Sequence, residues 1–196
     1  MRVGHVSQTF SFNGLPEPAG KPWLANELNV AALRREARAT RAAGAEFVIA
    51  SIHWGTEYAH APDALQRRVA RELLRSPDID LIIGHHAHVV QPFDRVGGKW
   101  VAYGLGNHVS FQDFSLDTRD GVIARFTITE TAPGIFAVTR AEAIPTWMRL
   151  GGGPPRVLNA ARCAARTSTA LRRDCQVSWR RTARRVSAPG LVVVAR

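Results

Sequence analysis

The segment IDLIIGHHAHVVQP, residues 79–92, sets the fold predicted for this chain. Its first half is a short apolar run between Asp80 and Gly84, which is typical of a buried β-strand. Gly84 predicts a sharp turn at the end of this strand, because glycine adopts backbone angles that other residues avoid. The residues that follow the turn are therefore expected to be exposed at the mouth of the strand.

Three histidines, His85, His86 and His88, follow this glycine within four positions. If the segment is extended, His86 and His88 point to the same side of the backbone, whereas in a helix they would diverge. Two neutral imidazoles on one side are suitable ligands for zinc, manganese or iron. The alternative interpretation is a surface loop that is rich in histidine, and the triplet alone leaves both interpretations open.

A second hydrophobic run repeats this plan. Residues 47–55, FVIASIHWG, place His53 directly after an apolar strand and before a glycine. Open α/β sheets gather their functional sites at the carboxyl ends of parallel strands. A lone histidine would more often be structural, but His53 stands at the end of a strand analogous to the one before His86. We therefore predict that His53, His86 and His88 converge on one cation.

The segments around these strands predict a β-α-β-α-β unit. A short strand at residues 4–12 precedes a helix at 30–43, for which Asn29 is a suitable N-cap. A second helix is predicted for residues 62–75, because Pro62 suits the first turn and apolar residues recur there every four positions. The alternation of strands and helices predicts parallel pairing with right-handed crossovers.

The chain changes character after residue 98. Three further segments are apolar or alternate between apolar and polar residues: 99–104, 122–129 and 135–143. They predict antiparallel strands that complete the sheet. Residues 104–108, GLGNH, carry two glycines that suggest a bend with close backbone approach. Asn107 or His108 is expected to face the histidine site.

Positive charge is concentrated at the C-terminal end. The chain of 196 residues has a net charge of +10, and ten arginines with a single acid lie in residues 156–196. The segment GGGPP at 151–155 is a flexible join to this basic tail. The tail is interpreted either as a contact for an anionic polymer or as a solvated Arg/Ala-rich helix. It has no DNA- or RNA-binding signature, so we expect no specific nucleic-acid partner.

Cysteine content and hydropathy bear on the compartment. Cys163 and Cys175 lie twelve residues apart, without the spacing of a zinc module. They are free thiols by default, or a disulfide if the protein works outside the cytoplasm. No apolar run reaches about 18 residues, so no transmembrane segment is expected. Residues 1–9 lack the hydrophobic core of a signal peptide, which predicts a cytoplasmic protein if Met1 is the true start.

Three motifs resemble one protein family. Residues 51–58 (SIHWGTEY), 84–92 (GHHAHVVQP) and 103–109 (YGLGNHV) look like the bacterial CapA family of capsule-synthesis or poly-γ-glutamate-synthesis proteins. The resemblance implies an α/β fold of the calcineurin-like metallophosphoesterase type, here a partial α/β/β/α sandwich. On this basis, residues 1–150 form the C-terminal part of such a domain. Residues 151–196 form the Gly/Pro linker and the basic C-terminal tail.

The resemblance also implies a set of metal ligands. Residues 80–88, DLIIGHHAH, are similar to the DLIIGGHSH run of nucleotidase-type metallophosphoesterases. On that alignment His86 and His88 are metal ligands, and His53 takes the place of an earlier lone histidine. By analogy, His53 and His86 would share one divalent metal and His88 would hold its neighbour. The expected cofactor is Mn, Fe or Zn, with a dinuclear pair in the full-length protein.

Residues beside these ligands are candidates for catalytic and supporting roles. His85 replaces a glycine of the family, and it and Asn107 are the candidate catalytic residues. A metal pair of this type clamps a phosphate ester and lowers the pKa of its bound water. Glu57 belongs to the family motif and is expected to orient His53 as a hydrogen-bond acceptor, although an exposed loop acid is the alternative.

The sequence departs from the family pattern before His53. That region has no Gly-Asp strand end and no Asn-containing turn of the kind that supplies the other ligands. Three histidines without carboxylates make an incomplete dinuclear site. We therefore expect the chain to be inactive alone, as a fragment, a truncated reading frame or a half complemented by another chain.

Two functions of different class follow. The first is a metal-binding phosphoesterase-type domain in the synthesis of a cell-envelope polymer. Its substrate would be a phosphate-bearing or anionic polymer, and its partner an envelope biosynthesis complex. The second is a non-enzymatic accessory or polyanion-binding protein with an inherited, inactive metal site. The family implies an extracytoplasmic location at the cell envelope.

Overall fold

The computed structural model describes residues 1–151, 153–166 and 169–195, so the predicted linker and tail fall partly outside it, at Gly152, residues 167–168 and Arg196. The strands are β1 (Val3–Thr9), β2 (Phe47–Trp54), β3 (Leu81–His86), β4 (Phe93–Val96), β5 (Lys99–Ala102), β6 (Asp120–Ala132), β7 (Ile135–Arg149), β8 (Arg156–Asn159) and β9 (Leu191–Val193). The helices are α1 (Val30–Ala42), α2 (Ala64–Leu74), α3 (Ala160–Arg166), α4 (Thr169–Val186) and a 3-10 helix at Asp117–Arg119. Among the described residues, no helix combines the length and the apolar character needed to cross a bilayer.

The first sheet has the strand order β1-β2-β3-β5-β4. Strands β1, β2 and β3 pair in parallel, with α1 and α2 as the connections between them, which confirms the predicted β-α-β-α-β unit. Helix α1 begins at Val30 because the Asn29 side chain accepts a hydrogen bond from the backbone N–H of Ala32. It ends before Gly44, whose φ of 99° lies in the left-handed region that glycine favours.

Helix α2 begins at Ala64, two residues later than predicted. The Asp63 carboxylate accepts a hydrogen bond from the backbone N–H of Gln66, and the Gln66 side chain accepts one from the backbone N–H of Asp63. This reciprocal capping box satisfies two amide groups that the first turn of a helix leaves free. Asp63 therefore sets the start of the helix, and Pro62 lies just outside it.

Gly84 does not form the predicted turn. It lies inside β3, which continues through His85 to His86. A Cβ atom at Gly84 would lie 1.9 Å from the backbone oxygen of Tyr103 and 2.4 Å from Nε1 of Trp54. The Trp54 indole donates a hydrogen bond of 3.0 Å to that same oxygen. Close packing against neighbouring chain segments, and not a bend, therefore requires glycine here.

The pairing of strand β5 differs from the prediction. Residues 99–104 were expected to be antiparallel, but β5 pairs in parallel with β3 and antiparallel only with β4. Gly97 and Gly98 connect β4 to β5 with φ values of 59° and 84°, as a tight hairpin turn requires. The hairpin places its second strand beside β3, so β5 extends the parallel sheet and β4 forms its edge.

The second sheet contains β6, β7 and β8, with β9 beside β7. Strands β6 and β7 form a long antiparallel hairpin, as predicted. Apolar clusters lie between α1/α2 and the first sheet around Ile52, and between the two sheets around Trp100 and Val122. A third cluster, around Trp147, lies between the second sheet and α3/α4. These layers form a mixed α/β fold consistent with a partial metallophosphoesterase-like α/β/β/α sandwich.

The basic tail is packed onto the second sheet, because β8 and β9 both pair with β7. A disulfide between Cys163 and Cys175 joins α3 to α4. Of the two alternatives that the sequence left open, free thiols or a disulfide, the structure has the disulfide. The interpretation of the tail as a solvated helix is wrong for Arg181 and Arg185, which form ion pairs with carboxylates. The domain boundary at residue 150 stays a prediction.

Candidate metal centre

Three imidazole rings meet at the carboxyl end of the first sheet. His53 lies at the end of β2, His86 is the last residue of β3, and His88 follows two residues later. The ring centroids of His53 and His86 are 4.4 Å apart, and those of His86 and His88 are 6.2 Å apart. The structure thus brings together the three side chains predicted as metal ligands, with His86 adjoining both of the others.

The rings line a cleft of about 270 Å³. One wall is the end of β3 and the residues after it, 85–88, and the other is the glycine-rich segment 104–107. The two residues predicted to be catalytic, His85 and Asn107, lie in opposite walls of this cleft. Among the described residues that line it, Asn107 is present and His108 is not.

The backbone at the site is strained. His86 and His88 have positive φ values of 98° and 56°, which are uncommon for residues other than glycine. These two histidines, rather than Gly84, provide the change of chain direction at the end of β3. Strained residues of this kind cluster at functional sites, where the surrounding structure holds them in place.

Asn107 determines the tautomer of His88. The side-chain oxygen of Asn107 lies 2.8 Å from Nδ1 of His88. The amide nitrogen of Asn107 donates to the carbonyl oxygen of Thr118 at 3.0 Å and to the side-chain oxygen of Gln112 at 3.1 Å. Because both amide hydrogens are used in this way, the oxygen must accept a hydrogen from His88. Nδ1 of His88 therefore carries the proton, and Nε2 has a free lone pair.

Thr9 determines the tautomer of His53. Thr9 is the register partner of His53 in the paired strands β1 and β2, and its hydroxyl oxygen lies 2.8 Å from Nδ1 of His53. The hydroxyl donates its own hydrogen to the carbonyl oxygen of Ser11 at 2.6 Å. It must therefore accept a hydrogen from His53, which leaves Nε2 of His53 with a free lone pair.

His86 has a ring nitrogen without a partner. Its Nδ1 is buried and makes no hydrogen bond within the described part of the chain. The ring packs 4.9 Å from that of Phe10, measured between centroids. An unsatisfied buried polar atom costs about 1–3 kcal/mol, and coordination of a cation at this nitrogen would remove that cost.

Burial keeps several of these imidazoles neutral. It lowers the pKa of His53, and the neighbouring histidines, His86 first, lower it further. Burial also lowers the pKa of His86, against an opposing effect of Glu57. The pKa of His85 is lowered by burial and then by His5. Since the neutral imidazole is the form that binds metals, these shifts favour metal binding at neutral pH.

Glu57 does not have the expected contact with His53. Thr9, not Glu57, is the hydrogen-bond partner of Nδ1 of His53. The Glu57 carboxylate remains close enough to raise the pKa values of His53 and His86. Its contribution to the two imidazoles is therefore electrostatic, and strand pairing places the Thr9 hydroxyl, rather than Glu57, against Nδ1 of His53.

The donor set fits a divalent metal in kind but is incomplete. Two free Nε2 atoms and one unpartnered Nδ1 are imidazole donors of the type that zinc and iron accept. Within the described ranges, no group of three or more His, Cys, Asp or Glu side chains is arranged so that it could hold a metal ion. The described residues thus bring imidazole nitrogens together in the cleft without forming a complete metal site.

Sequence reasoning missed two residues that shape the site. Thr9 holds His53, and only the parallel register of β1 and β2 reveals this pairing. Tyr58 stacks on His88 with 6.0 Å between ring centroids, and its hydroxyl accepts a hydrogen bond from Gln112 at 3.3 Å. Tyr58 belongs to the motif at residues 51–58, and that position is the feature of the sequence that could have indicated its place at the site.

Comparison with known proteins identifies a family and relatives from Bacillus. The model of the family described as "Bacterial capsule synthesis protein PGA_cap" matches residues 6–112. The chain is 36% identical over 95 residues to the PGA biosynthesis protein CapA of Bacillus subtilis (strain 168), which covers 48% of the chain and 24% of that protein. It is 27% identical over 139 residues to the capsule biosynthesis protein CapA of Bacillus anthracis, covering 71% of the chain and 32% of that protein. The chain thus matches about a quarter to a third of the length of these relatives.

Proposed function

Because the chain belongs to the bacterial capsule synthesis protein family PGA_cap, as the motif resemblance predicted, we propose that it supplies the imidazole part of a metal-dependent phosphoesterase-type site. The single observation that carries this proposal is the arrangement of His53, His86 and His88. Two of the rings are held with Nε2 free, and the third has a buried nitrogen without a partner. A solvent-exposed histidine-rich loop would not need such support.

The proposal gives each side chain a role. His53, His86 and His88 hold a divalent cation, Mn, Fe or Zn, while Thr9 and Asn107 keep two of the rings in the tautomer that binds it. When bound, the cation supplies a Lewis acid for a phosphoryl oxygen and lowers the pKa of water. Asn107, a candidate catalytic residue, acts through His88 and is therefore a positioning residue in this proposal.

His85 is the candidate for proton transfer. It lines the same cleft, and burial lowers its pKa, which favours the neutral imidazole, the form that can accept a proton. The substrate in this proposal is a phosphate-bearing or anionic polymer of the cell envelope. The remaining metal ligands would come from another segment or another chain, since a dinuclear site needs more donors than three imidazoles provide.

Hydrolysis of p-nitrophenyl phosphate and of bis-p-nitrophenyl phosphate tests the proposal, with manganese, ferrous or zinc ions added to protein stripped by chelator. We expect the stripped chain to bind the added metal, more weakly in His86→Ala and unchanged in Gln176→Ala, which alters an exposed residue. Because the donor set is incomplete, we expect turnover only when the segment or chain that supplies the remaining ligands is present. Absence of turnover together with less than about one bound metal per chain would place the protein in the non-enzymatic class.

One observation favours that second class, an accessory protein that binds polyanions. Arg172 and Arg173 are exposed at the start of α4, on a tail that is strongly basic. A surface region of exposed arginines is positively charged and attracts anionic polymers such as poly-γ-glutamate. Binding that weakens steeply with salt, and that the double variant Arg172→Gln/Arg173→Gln reduces, would support this function. Equal binding to DNA would indicate unspecific charge attraction.

Membership of a capsule synthesis family fits involvement in an envelope polymer, and we infer an extracytoplasmic location. The disulfide between Cys163 and Cys175 supports this inference, because disulfides persist mainly in oxidising compartments. Alkylation of free thiols in freshly lysed cells tests it. We expect both cysteines to be protected, whereas full labelling would indicate a reducing compartment.

A further inference from the structure

Buried and partly buried ion pairs join helix α4 to the 3-10 helix and to the first residue of β6. Arg181 donates a hydrogen bond of 2.8 Å to Asp120, and Arg185 donates one of 2.9 Å to Asp117. Asp120 is fully buried and also accepts a hydrogen bond of 2.7 Å from Ser178. The two arginine side chains are only 16% and 19% exposed. Charges buried to this degree require their partners, because an unpaired buried carboxylate is costly.

The two aspartates hold a segment that contacts Asn107. They flank Thr118 in the 3-10 helix, and the carbonyl oxygen of Thr118 accepts a hydrogen bond of 3.0 Å from Asn107. The Thr118 hydroxyl contacts the carbonyl oxygens of Gln112 and Ser115 at 2.6 and 2.8 Å. The Gln112 side chain accepts the other amide hydrogen of Asn107 at 3.1 Å. Both acceptors that orient the Asn107 amide therefore belong to residues 112–118.

Two further contacts connect this segment to the cleft. The ring nitrogens of His60 lie 3.1 Å from the Asp117 carboxylate and 3.3 Å from the carbonyl oxygen of Val90. Gly121 packs so closely on Asn107 that a Cβ atom there would lie 2.4 Å from the backbone oxygen of Asn107. The segment held by the arginines thus contacts the cleft wall at residues 104–107, and His60 connects it to Val90, two residues after the other wall.

We propose that Arg181 and Arg185 are positioning residues for His88. By holding Asp117 and Asp120, they fix the Thr118 carbonyl and so the orientation of the Asn107 amide. The amide in turn keeps the proton of His88 on Nδ1 and leaves a lone pair on Nε2. The consequence for metal affinity rests on the proposed function, whereas the effect on the His88 tautomer does not.

Nitrogen NMR of the histidine rings in the full chain tests this inference. We expect His88 to show a protonated Nδ1 and an unprotonated Nε2, with the signal assigned by its loss in His88→Gln. In Arg181→Gln and Arg185→Gln the two ring nitrogens should shift towards the averaged values of exchanging tautomers. Zinc affinity should fall about 10- to 100-fold, as for other residues that orient a ligand.

Matched controls come from the same helix. Arg180 and Arg184 are exposed on α4, and Arg180→Gln and Arg184→Gln remove the same charge without touching either aspartate. We expect both to keep the wild-type His88 signal and zinc affinity. If the inner variants fail to fold, Asp117→Asn provides the test, because it weakens the contacts with Arg185 and His60 at a partly exposed position.

The NMR measurement and the zinc-binding measurement distinguish this inference from the proposed function. Folded Arg181→Gln and Arg185→Gln proteins that retain a single His88 tautomer would overturn the inference, even if wild-type protein binds zinc. A wild-type protein that binds no zinc would overturn the proposed metal site. A tautomer that still changes in the arginine variants would then support the inference alone.

Discussion

The side-chain oxygen of Asn107 lies 2.8 Å from Nδ1 of His88, and its amide nitrogen is held by two other acceptors. Asn107 therefore cannot present its amide group to His88 in the reverse orientation without losing both hydrogen bonds. The ring nitrogen of His88 that carries the proton is thus decided by a residue nineteen positions further along the chain. Orientation of a histidine through its second nitrogen is the usual way in which proteins prepare this ligand.

Replacement of Asn107 tests this relationship. Asn107→Ala removes the acceptor of the His88 proton, so both tautomers become accessible and zinc affinity should fall about 10- to 100-fold. Isothermal titration with zinc measures the change. Asn26→Ala, at an exposed asparagine, is the matched control and should bind zinc as the wild type does. An Asn107→Ala protein with unchanged affinity would show that the amide does not prepare His88.

The histidine pKa values predict how stability depends on pH. The pKa values of His53, His85 and His86 are lowered in the folded chain, mainly by burial, relative to about 6.5 when unfolded. Between the lowered values and pH 6.5 the unfolded chain binds more protons, so acid favours unfolding. The stabilising effect is fully present above about pH 7 and is lost as the pH falls through the folded pKa values.

Thermal unfolding of chelator-treated protein between pH 8 and pH 5 measures this effect. We expect a nearly constant melting temperature above pH 7 and a progressive decrease below it. His86→Gln removes one of the titrating groups and should make the decrease shallower. An identical decrease in the wild type and in His86→Gln would contradict the expectation that His86 is held neutral by the fold.

Gly84→Ala should strongly destabilise the protein. The added Cβ would lie 1.9 Å from the backbone oxygen of Tyr103, which the sheet holds in place. We expect a loss of about 3 kcal/mol or more in the free energy of unfolding, measured by urea denaturation. The control is Gly134→Ala, where the new Cβ meets nothing within 4 Å and only a positive φ of 72° opposes the change. A smaller effect at Gly84 than at Gly134 would contradict the packing explanation.

Reduction of the disulfide should destabilise the tail. Cys163 and Cys175 are separated by 12 residues, and a closed loop of this size stabilises a folded chain by about 3 kcal/mol. Dithiothreitol should therefore lower the melting temperature of the wild type. The double variant Cys163→Ser/Cys175→Ser should melt at the lower temperature with or without dithiothreitol. Equal melting temperatures for the wild type in both conditions would show that the bridge contributes nothing.

Local patterns in the sequence were sufficient for strands β1 to β3 of the first sheet and for the helices between them. Hydrophobic runs mark β2 and β3, and Asn29 marks the start of α1, because strand burial and helix capping depend on neighbouring residues. The proximity of His53 and His86 also followed, since the carboxyl ends of adjacent parallel strands lie side by side. The family match confirms the resemblance on which the capsule-synthesis assignment was based.

Features that depend on distant pairing were not predictable in this way. Gly84 suggested a turn, but glycine is required there because the backbone of Tyr103 lies against it. Tyr103 is close because β5, the strand that precedes it, pairs with β3. Arg181 and Arg185 suggested solvated charges, because their partners Asp117 and Asp120 lie more than 60 residues away. In each case a long-range contact determines the role of the residue.

Zinc titration of chelator-stripped protein, with manganese and ferrous ions in parallel, decides whether His53, His86 and His88 form a metal site. We expect saturable binding of at least one ion per chain, at least about tenfold weaker in His53→Ala, His86→Ala and His88→Ala. His5→Ala, at an exposed histidine, should bind as the wild type does. No saturable binding by the wild type, or equal binding by all four variants, would contradict a metal centre at these residues.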